Sequence, residues 1–293
     1  MPISALALVV LAGLIHALWN IAAKKANGDV RYACFIALFT VLVWAPVGLY
    51  LAWQQLPQWD VAAWACVVAS GLIHVLYFIV LLRGYREADL TVVYPLARGS
   101  GPLISSLVAV VLFGEHISVY GFAGLAAVVL GVFLVAGGTG IWHNAHSPEQ
   151  RSRIHRGLFY GLLTGFCIAS YTLVDGYSVK VLLLSPILMF YMACCVQALL
   201  LLAPVVQDRA LARQHWQQQW KSALLVGALS PVSYVLVLYA LQIAPISHVA
   251  PAREVSMLFA ALLGGHLLRE GDRLARMMGA ACIGLGVVAL SLG

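Results

Sequence analysis

Charge is what this sequence has least of. Only 10% of its 293 residues are charged, with 11 Asp and Glu against 17 Lys and Arg, while 62% are hydrophobic. A soluble domain of this length has no interior large enough to bury that much apolar surface, so a soluble globular fold is excluded. Catalytic signatures are missing as well. No GxxxxGK[ST] run, no HExxH and no aligned Ser/His/Asp set occurs, so nothing calls for a nucleotide, a metal or any other cofactor. The six cysteines, Cys34, Cys66, Cys167, Cys194, Cys195 and Cys282, all fall inside apolar stretches, which excludes a loop disulfide framework and leaves them as small apolar fillers. The net charge of +6 has no basic helix or basic-aromatic interleaving behind it, so nucleic acid is not an expected partner.

What is present is a run of apolar spans, each about as long as the ~20 residues a membrane helix needs. They cover 3–23, 32–52, 60–82, 90–112, 118–137, 157–178, 184–206, 220–242, 246–268 and 274–292. The first lacks a basic leader and carries His16, Trp19 and Asn20, so it reads as a retained span and not a signal peptide. Fourteen of the 17 basic residues fall in alternate gaps: Lys24, Lys25, Arg31; Arg83, Arg86; Arg151, Arg153, Arg156; Arg209, Arg213, Lys221; Arg269, Arg273, Arg276. The other gaps hold only Lys180, and Arg98 and Arg253 lie inside spans. Cytoplasmic loops are the ones enriched in Lys and Arg, so both termini are expected outside and the connection 138–156 inside. Trp44, Trp53, Trp59, Trp142 and Trp216 sit near span ends, as interfacial anchors do.

The two halves repeat each other. Leu14–Asn20 aligns with Phe166–Thr172, which matches Gly13 to Gly165 and Trp19 to Tyr171. Tyr94-Pro95 followed by Arg98 aligns with Ala250-Pro251 followed by Glu254; Glu115 aligns with Glu270, Gly124 with Gly279 and Gly131 with Gly286. The offset drifts only from 152 to 156. Five spans per half is an odd number, so the second half must lie upside down, and the reversed charge bias of equivalent gaps agrees. The expected fold is an all-α integral membrane protein of ten transmembrane helices in an inverted 5+5 repeat. The expected units are residues 1–140, a cytoplasmic linker at 141–156, and 157–293. Such repeats are a recurring transporter plan, with substrate bound near the midplane between them.

These features resemble the EamA-like branch of the drug/metabolite transporter superfamily. The resemblance rests on the two five-span halves and on Pro95 and Pro251 in the fourth span of each. It rests too on the acidic turns Gly114-Glu115 and Arg269-Glu270-Gly271, and on the glycine-rich fifth spans. His16-Ala17-Leu18-Trp19-Asn20 looks like a subset within that branch. The resemblance implies ten helices around a cavity lined mainly by spans 1, 3, 4, 6, 8 and 9. It also implies small-solute transport, often export, without ATP hydrolysis. Small multidrug exporters of the superfamily carry a glutamate in the first span; here the ionisable side chain inside span 1 is His16.

An ionisable side chain inside the bilayer usually faces a cavity or a partner. His16, His74 and Arg98 lie about 11 Å from the cytoplasmic ends of their spans. Tyr171, Tyr234, Arg253 and Glu254 lie as deep from the outer ends, so two stacked polar layers are expected. His16 and Asn20 share a helix face. With His74, Tyr77, Tyr94, Arg98, Tyr171, Tyr234, Arg253 and Glu254 they form the candidate substrate site. Several could instead serve packing, His74 through Tyr77 nearby. Arg98 and Glu254 hold equivalent positions and suggest an ion pair across the repeats, while Arg253 and Glu254 diverge by about 100°. Pro95 and Pro251 are candidate hinges, each freeing a carbonyl one turn earlier. Asp175 reads as a solvated rim residue, and His248 and His266 as span-end residues. Gly124/Gly131 and Gly279/Gly286 keep one helix face bare for close packing, within the chain or in a homodimer.

The expected function is secondary transport by alternating access in a bacterial inner membrane, with export as the expected direction. Partners are the lipid bilayer and a small substrate. Two interior arginines against one glutamate favour a zwitterion or anion bearing a carboxylate or phosphonate, such as an amino acid. The alternatives are an exporter of cationic or lipophilic drugs and, from another class, an integral membrane lipid-modifying enzyme.

Overall fold

The computed structural model of the chain describes residues 1–26, 28–88, 90–135, 148–264 and 273–292. Its α-helices run in the order α1 (Ile3–Ala26), α2 (Val30–Gln55), α3 (Val61–Glu87), α4 (Leu90–Phe113), α5 (Val119–Val135), α6 (Pro148–Lys180), α7 (Pro186–Gln207), α8 (Arg209–Ile243), α9 (Ile246–Ala252), α10 (Val255–Gly264) and α11 (Arg273–Leu292). No strand occurs among the described residues. His266, Arg269, Glu270, Gly271, Trp142 and the linker up to Ser147 lie outside the described residues.

Local chemistry sets the helix starts. Asp29 accepts from the Arg31 N–H at 2.9 Å and opens α2, and Asp60 accepts from the Ala63 N–H at 2.8 Å and opens α3. Asp208 accepts from the Leu211 N–H at 3.0 Å and opens α8 eleven residues before the apolar span begins. The intervening Gln- and Arg-rich stretch contains neither Gly nor Pro, so nothing stops a polar helix there. For the same reason α6 starts at Pro148, so residues 148–156, expected as linker, are helical.

Among the described residues, seven helices are long and apolar enough to cross a membrane. Large apolar side chains on them remain exposed, among them Leu42, Leu49, Trp53, Val111 and Leu199. That girdle suits lipid, and the chain is a multi-pass membrane protein. The helical stretches Val119–Val135 and Met277–Leu292 are apolar but short, at about 26 Å or less against a core of about 30 Å. The ninth expected span is divided into α9 and α10 at Arg253–Glu254.

The halves pack on each other in matched pairs. α1 lies on α8 as α6 lies on α3, α1 lies on α10 as α6 lies on α4, and α2 pairs with α7 and α5 with α11. Repeat-related glycines make the same kind of contact. A Cβ on Gly13 of α1 would meet Val255 at 2.6 Å and the Ser256 N at 3.2 Å, while Gly165 of α6 faces Ser100 and Gly101. In α5 and α11 the glycines cross over: Gly124 faces the carbonyl of Gly286, and Gly131 that of Gly279, each leaving under 3 Å for a Cβ. The bare faces therefore close on each other within the chain.

The largest buried apolar cluster joins Val9 of α1, Val128 of α5, Leu238 of α8, Val249 of α9 and Ile283 of α11. It fills the bundle toward the end that carries Met1 and Lys180. There the N-terminal amine donates to the Ser291 carbonyl at 3.0 Å. The Glu115 carboxylate accepts from the N–H of Ile246 at 2.8 Å, from the N–H of Ser247 at 2.9 Å and from Lys180 Nζ at 3.2 Å. This clasp ties α6 and α9 to the turn after α4.

Candidate functional site

Proline chemistry shapes the centre. Pro251 has no N–H for the Ser247 carbonyl, which accepts instead from Ser106 Oγ of α4 at 3.2 Å. Pro231 of α8 likewise frees the Gly227 carbonyl, which Thr40 Oγ1 of α2 satisfies at 3.1 Å. Just past Pro251 the backbone tightens into i→i−3 bonds, from Glu254 N to Pro251 O at 3.0 Å, Ser256 N to Arg253 O at 3.2 Å and Met257 N to Glu254 O at 2.8 Å. This turn separates α9 from α10 and sends Arg253 and Glu254 to different partners. Pro95 is buried within an unbroken α4, so only one of the two candidate hinges coincides with a helix break.

Arg98 Nη2 lies 3.0 Å from Glu254 Oε2, and Glu254 is 1% exposed. The Nη2 hydrogen bond itself runs to Ser256 Oγ at 3.0 Å, and Glu254 Oε2 receives none, so the pair is a contact of charges without hydrogen-bond alignment. Arg253 turns the other way. Its Nη2 donates to the Tyr171 hydroxyl at 3.4 Å, and its guanidinium carbon stands 6.0 Å from the centre of the Tyr234 ring. Among the described residues no carboxylate lies within ion-pair distance of Arg253.

An aromatic wall surrounds this guanidinium. The His74 ring stacks on Tyr171 at 4.1 Å, Tyr77 meets Tyr171 edge-on at 5.9 Å, and Phe190 lies 5.1 Å from Tyr234. His74 Nδ1 donates to the Ser70 carbonyl at 2.8 Å, a bond that fixes the ring and its tautomer. On α1, His16 meets Trp19 edge-on at 4.5 Å, and Trp19 Nε1 donates to Ser233 Oγ of α8 at 3.1 Å. Tyr94 packs against the main apolar core, and Asn20 makes no side-chain hydrogen bond among the described residues.

The two expected polar layers are one cluster. Arg98 touches Glu254, and His74 touches Tyr171, although each pair was assigned to opposite layers. The depth counted from the apolar span end misleads for His74, because α3 continues to Glu87. Asp175 is corrected most. Instead of a solvated rim residue it is fully buried, and it accepts from the Tyr234 hydroxyl at 2.5 Å. Its place four residues after Tyr171 on α6 was the signal that put it on the cluster's face. Trp19, Ser70, Ser233 and Ser256 also belong to the cluster, and nothing but their neighbours in sequence pointed to them.

An open cleft of about 500 Å³ lies apart from this cluster, between the far ends of α1 and α8, lined by residues including Lys25, Gln218, Lys221 and Ser222. It opens at the end opposite the Glu115 clasp.

A sequence profile of the EamA-like transporter family matches residues 3–137 and again residues 155–292. The chain belongs to the EamA-like transporter family. It is thus a membrane transporter of the drug/metabolite transporter superfamily, and each half of this EamA-like chain matches the family by itself. A solved structure described as "Crystal structure of protein" is similar in fold, with a TM-score of 0.73 at 14% identity, covering 99% of this chain and 98% of the other. No curated protein matches the sequence.

Proposed function

We propose that this EamA-like protein is a secondary transporter of a small zwitterion or anion carrying a carboxylate or phosphonate, built as ten spans in an inverted 5+5 repeat. The observation that carries this reading is Arg253. It sits at the centre of the bundle with phenolic partners and, among the described residues, no carboxylate within ion-pair distance, whereas Arg98 is already neutralised by Glu254. A guanidinium in such a place offers two parallel N–H donors to a carboxylate or phosphonate. The aromatic wall of His74, Tyr171 and Tyr234 would cover the apolar part of the substrate. Matched packing between the halves supports alternating access, since the larger helix contacts have counterparts with the halves exchanged. The basic residues at one end and the clasp at the other support an orientation with both termini outside the cell.

Thermal stabilisation of purified protein against amino acids, organic acids, phosphonates and quaternary ammonium compounds tests the reading. A ligand at 100 times its dissociation constant stabilises by about 2.7 kcal/mol. The expected result is stabilisation by a carboxylate or phosphonate, lost in Arg253→Gln, followed by counterflow of the same compound in proteoliposomes. One observation favours a second reading: buried Asp175 beside Tyr171, Tyr234 and His74 would suit an organic cation. Stabilisation by quaternary ammonium compounds alone, lost in Asp175→Asn, decides for that reading.

A further inference from the structure

We infer that Asp175 is a proton-binding site of the transport cycle, and that a proton there and an anionic substrate group on Arg253 bind together. The inference rests on the reading of Arg253 given above. Its own ground is the setting of Asp175. The side chain is 0% exposed, Oδ2 accepts from Tyr234 with the Ser70 hydroxyl also beside the carboxyl, and Oδ1 has no partner in hydrogen-bond geometry among the described residues. No cation stands within ion-pair distance of it among those residues. An ionised carboxylate left in that state is costly, and taking up a proton removes the cost while giving Oδ1 a hydrogen to donate.

Of the groups around Asp175, His74 is the other one that can take up a proton, at Nε2, and His74→Gln separates the two. From α3, His74 faces it with Nδ1 engaged by the Ser70 carbonyl, and Tyr77 lies behind Tyr171. From α8 comes Tyr234, which bonds it, and from α7 the buried thiol of Cys194. Tyr171 precedes it by one turn on its own helix, and Arg253 reaches over from the turn after α9 to both tyrosines. On α4, Arg98 is committed to Glu254, and Tyr94 packs into the core.

Counting charges gives the sign of the coupling. With Asp175 ionised, the two arginines face two carboxylates, and an incoming anion finds no surplus. With Asp175 protonated, one positive charge is left over, on Arg253. An anion therefore favours the protonated form, and by reciprocity the proton raises anion affinity by the same factor. Tyr234 links the two sites directly, since its hydroxyl holds Asp175 and its ring lies under Arg253. A substrate anion and a proton then cross together. A cationic substrate would reverse the sign and expel the proton.

Infrared spectroscopy of the full-length protein in proteoliposomes reads the proton directly, between about pH 5 and about pH 9. The expected result is a protonated-carboxyl C=O band that titrates in this range, is absent in Asp175→Asn and persists in His74→Gln. Tyr234→Phe, which keeps the ring and removes the hydroxyl donor, should shift that titration to higher pH. Benzoate serves as the anionic probe. It should strengthen the band, and its affinity should fall about tenfold from the low to the high end of the range, within ordinary site-to-site coupling. In Asp175→Asn its affinity should be flat with pH. Absence of a band that responds to Asp175→Asn or Tyr234→Phe overturns the proton site. A band that titrates while benzoate binding ignores pH overturns the coupling. Benzoate that fails to bind, or binds equally to Arg253→Gln, with the band intact, rejects the anion reading of Arg253 and the coupling with it, and leaves the proton site standing.

Discussion

Arg98 and Glu254 occupy the same place in the two repeats, and they touch each other, Nη2 to Oε2, at 3.0 Å. A residue can meet its own repeat counterpart only beside the axis that relates the halves. The pair therefore marks the middle of the bundle, and each half contributes one charge to it. Ser256 Oγ holds the arginine from the glutamate's side, 3.0 Å from the same Nη2. The fixed centre of the molecule is thus polar and jointly owned, with helices packed around it in exchangeable pairs.

Breaking that pair by one partner should cost more than removing both. Arg98→Ala leaves Glu254 buried and uncompensated, a loss on the order of 3–5 kcal/mol. Arg98→Met together with Glu254→Leu should recover most of that stability without recovering transport. Thermal melts and transport assays of the two singles and the double provide the check. A double variant no more stable than the singles would mean the two charges do not act as a pair.

The glycine crossover predicts a steric penalty. A Cβ on Gly131 would lie 2.6 Å from the Gly279 carbonyl oxygen, and one on Gly124 would lie 2.7 Å from that of Gly286. Backbone cannot yield as a side chain tip does. Gly131→Ala and Gly124→Ala should each destabilise by about 1–3 kcal/mol, as overpacking does. Gly99 is the control, since its nearest neighbour would be 3.7 Å away. Equal melting temperatures for Gly131→Ala and Gly99→Ala would contradict the crossover.

Much of this was legible beforehand, and for identifiable reasons. Apolar length located the spans because the membrane core imposes it, and the repeat aligned Gly13 with Gly165, which carry equivalent close contacts. The Arg98–Glu254 relation could be read from position alone. Asp175 could not, because its burial depends on what α3 and α8 lay over it. Nor could the turn at Arg253–Glu254, since Pro251 signals a weakened helix but leaves open where the tightening falls. The polar beginnings of α6 and α8 are not legible in hydropathy, which reports lipid contact, and a helix needs none.

The clasp at Glu115 predicts an acid response at the end proposed to face outside. Burial alone would raise this carboxyl, but the N–H groups of Ser247 and Ile246, and then Lys180, more than offset that and hold it below the ordinary glutamate range. A group lowered in the native state stabilises fully above its ordinary value, and that contribution fades as pH falls through the lower native value. The clasp should be at full strength above about pH 4.3 and weaken only below it. In a cysteine-free background, Ala244→Cys, whose carbonyl accepts from Lys180 at 3.3 Å, reports on it. Labelling from outside at neutral pH should rise when Glu115→Gln is added, and a spin label attached at Ala244→Cys should gain mobility as pH falls below about 4.3. Labelling unchanged by Glu115→Gln would show that the apolar core, not the clasp, closes that end.

The proposed orientation can be tested at the cleft. The cleft contains Lys25 and Lys221, both in gaps assigned to the cytoplasm, while Met1 and Lys180 lie at the other end. In the same background, Gln218→Cys should react with a membrane-impermeant maleimide in inverted vesicles and stay unreactive in intact cells. A ligand that drives the bundle toward its outward-open state should protect Gln218→Cys and expose Ala244→Cys, because matched packing lets one end open only as the other closes. Reaction of Gln218→Cys in intact cells would reverse the orientation while leaving the helix pairing untouched. Simultaneous exposure of both positions would argue against alternating access itself, since the two ends would then open independently.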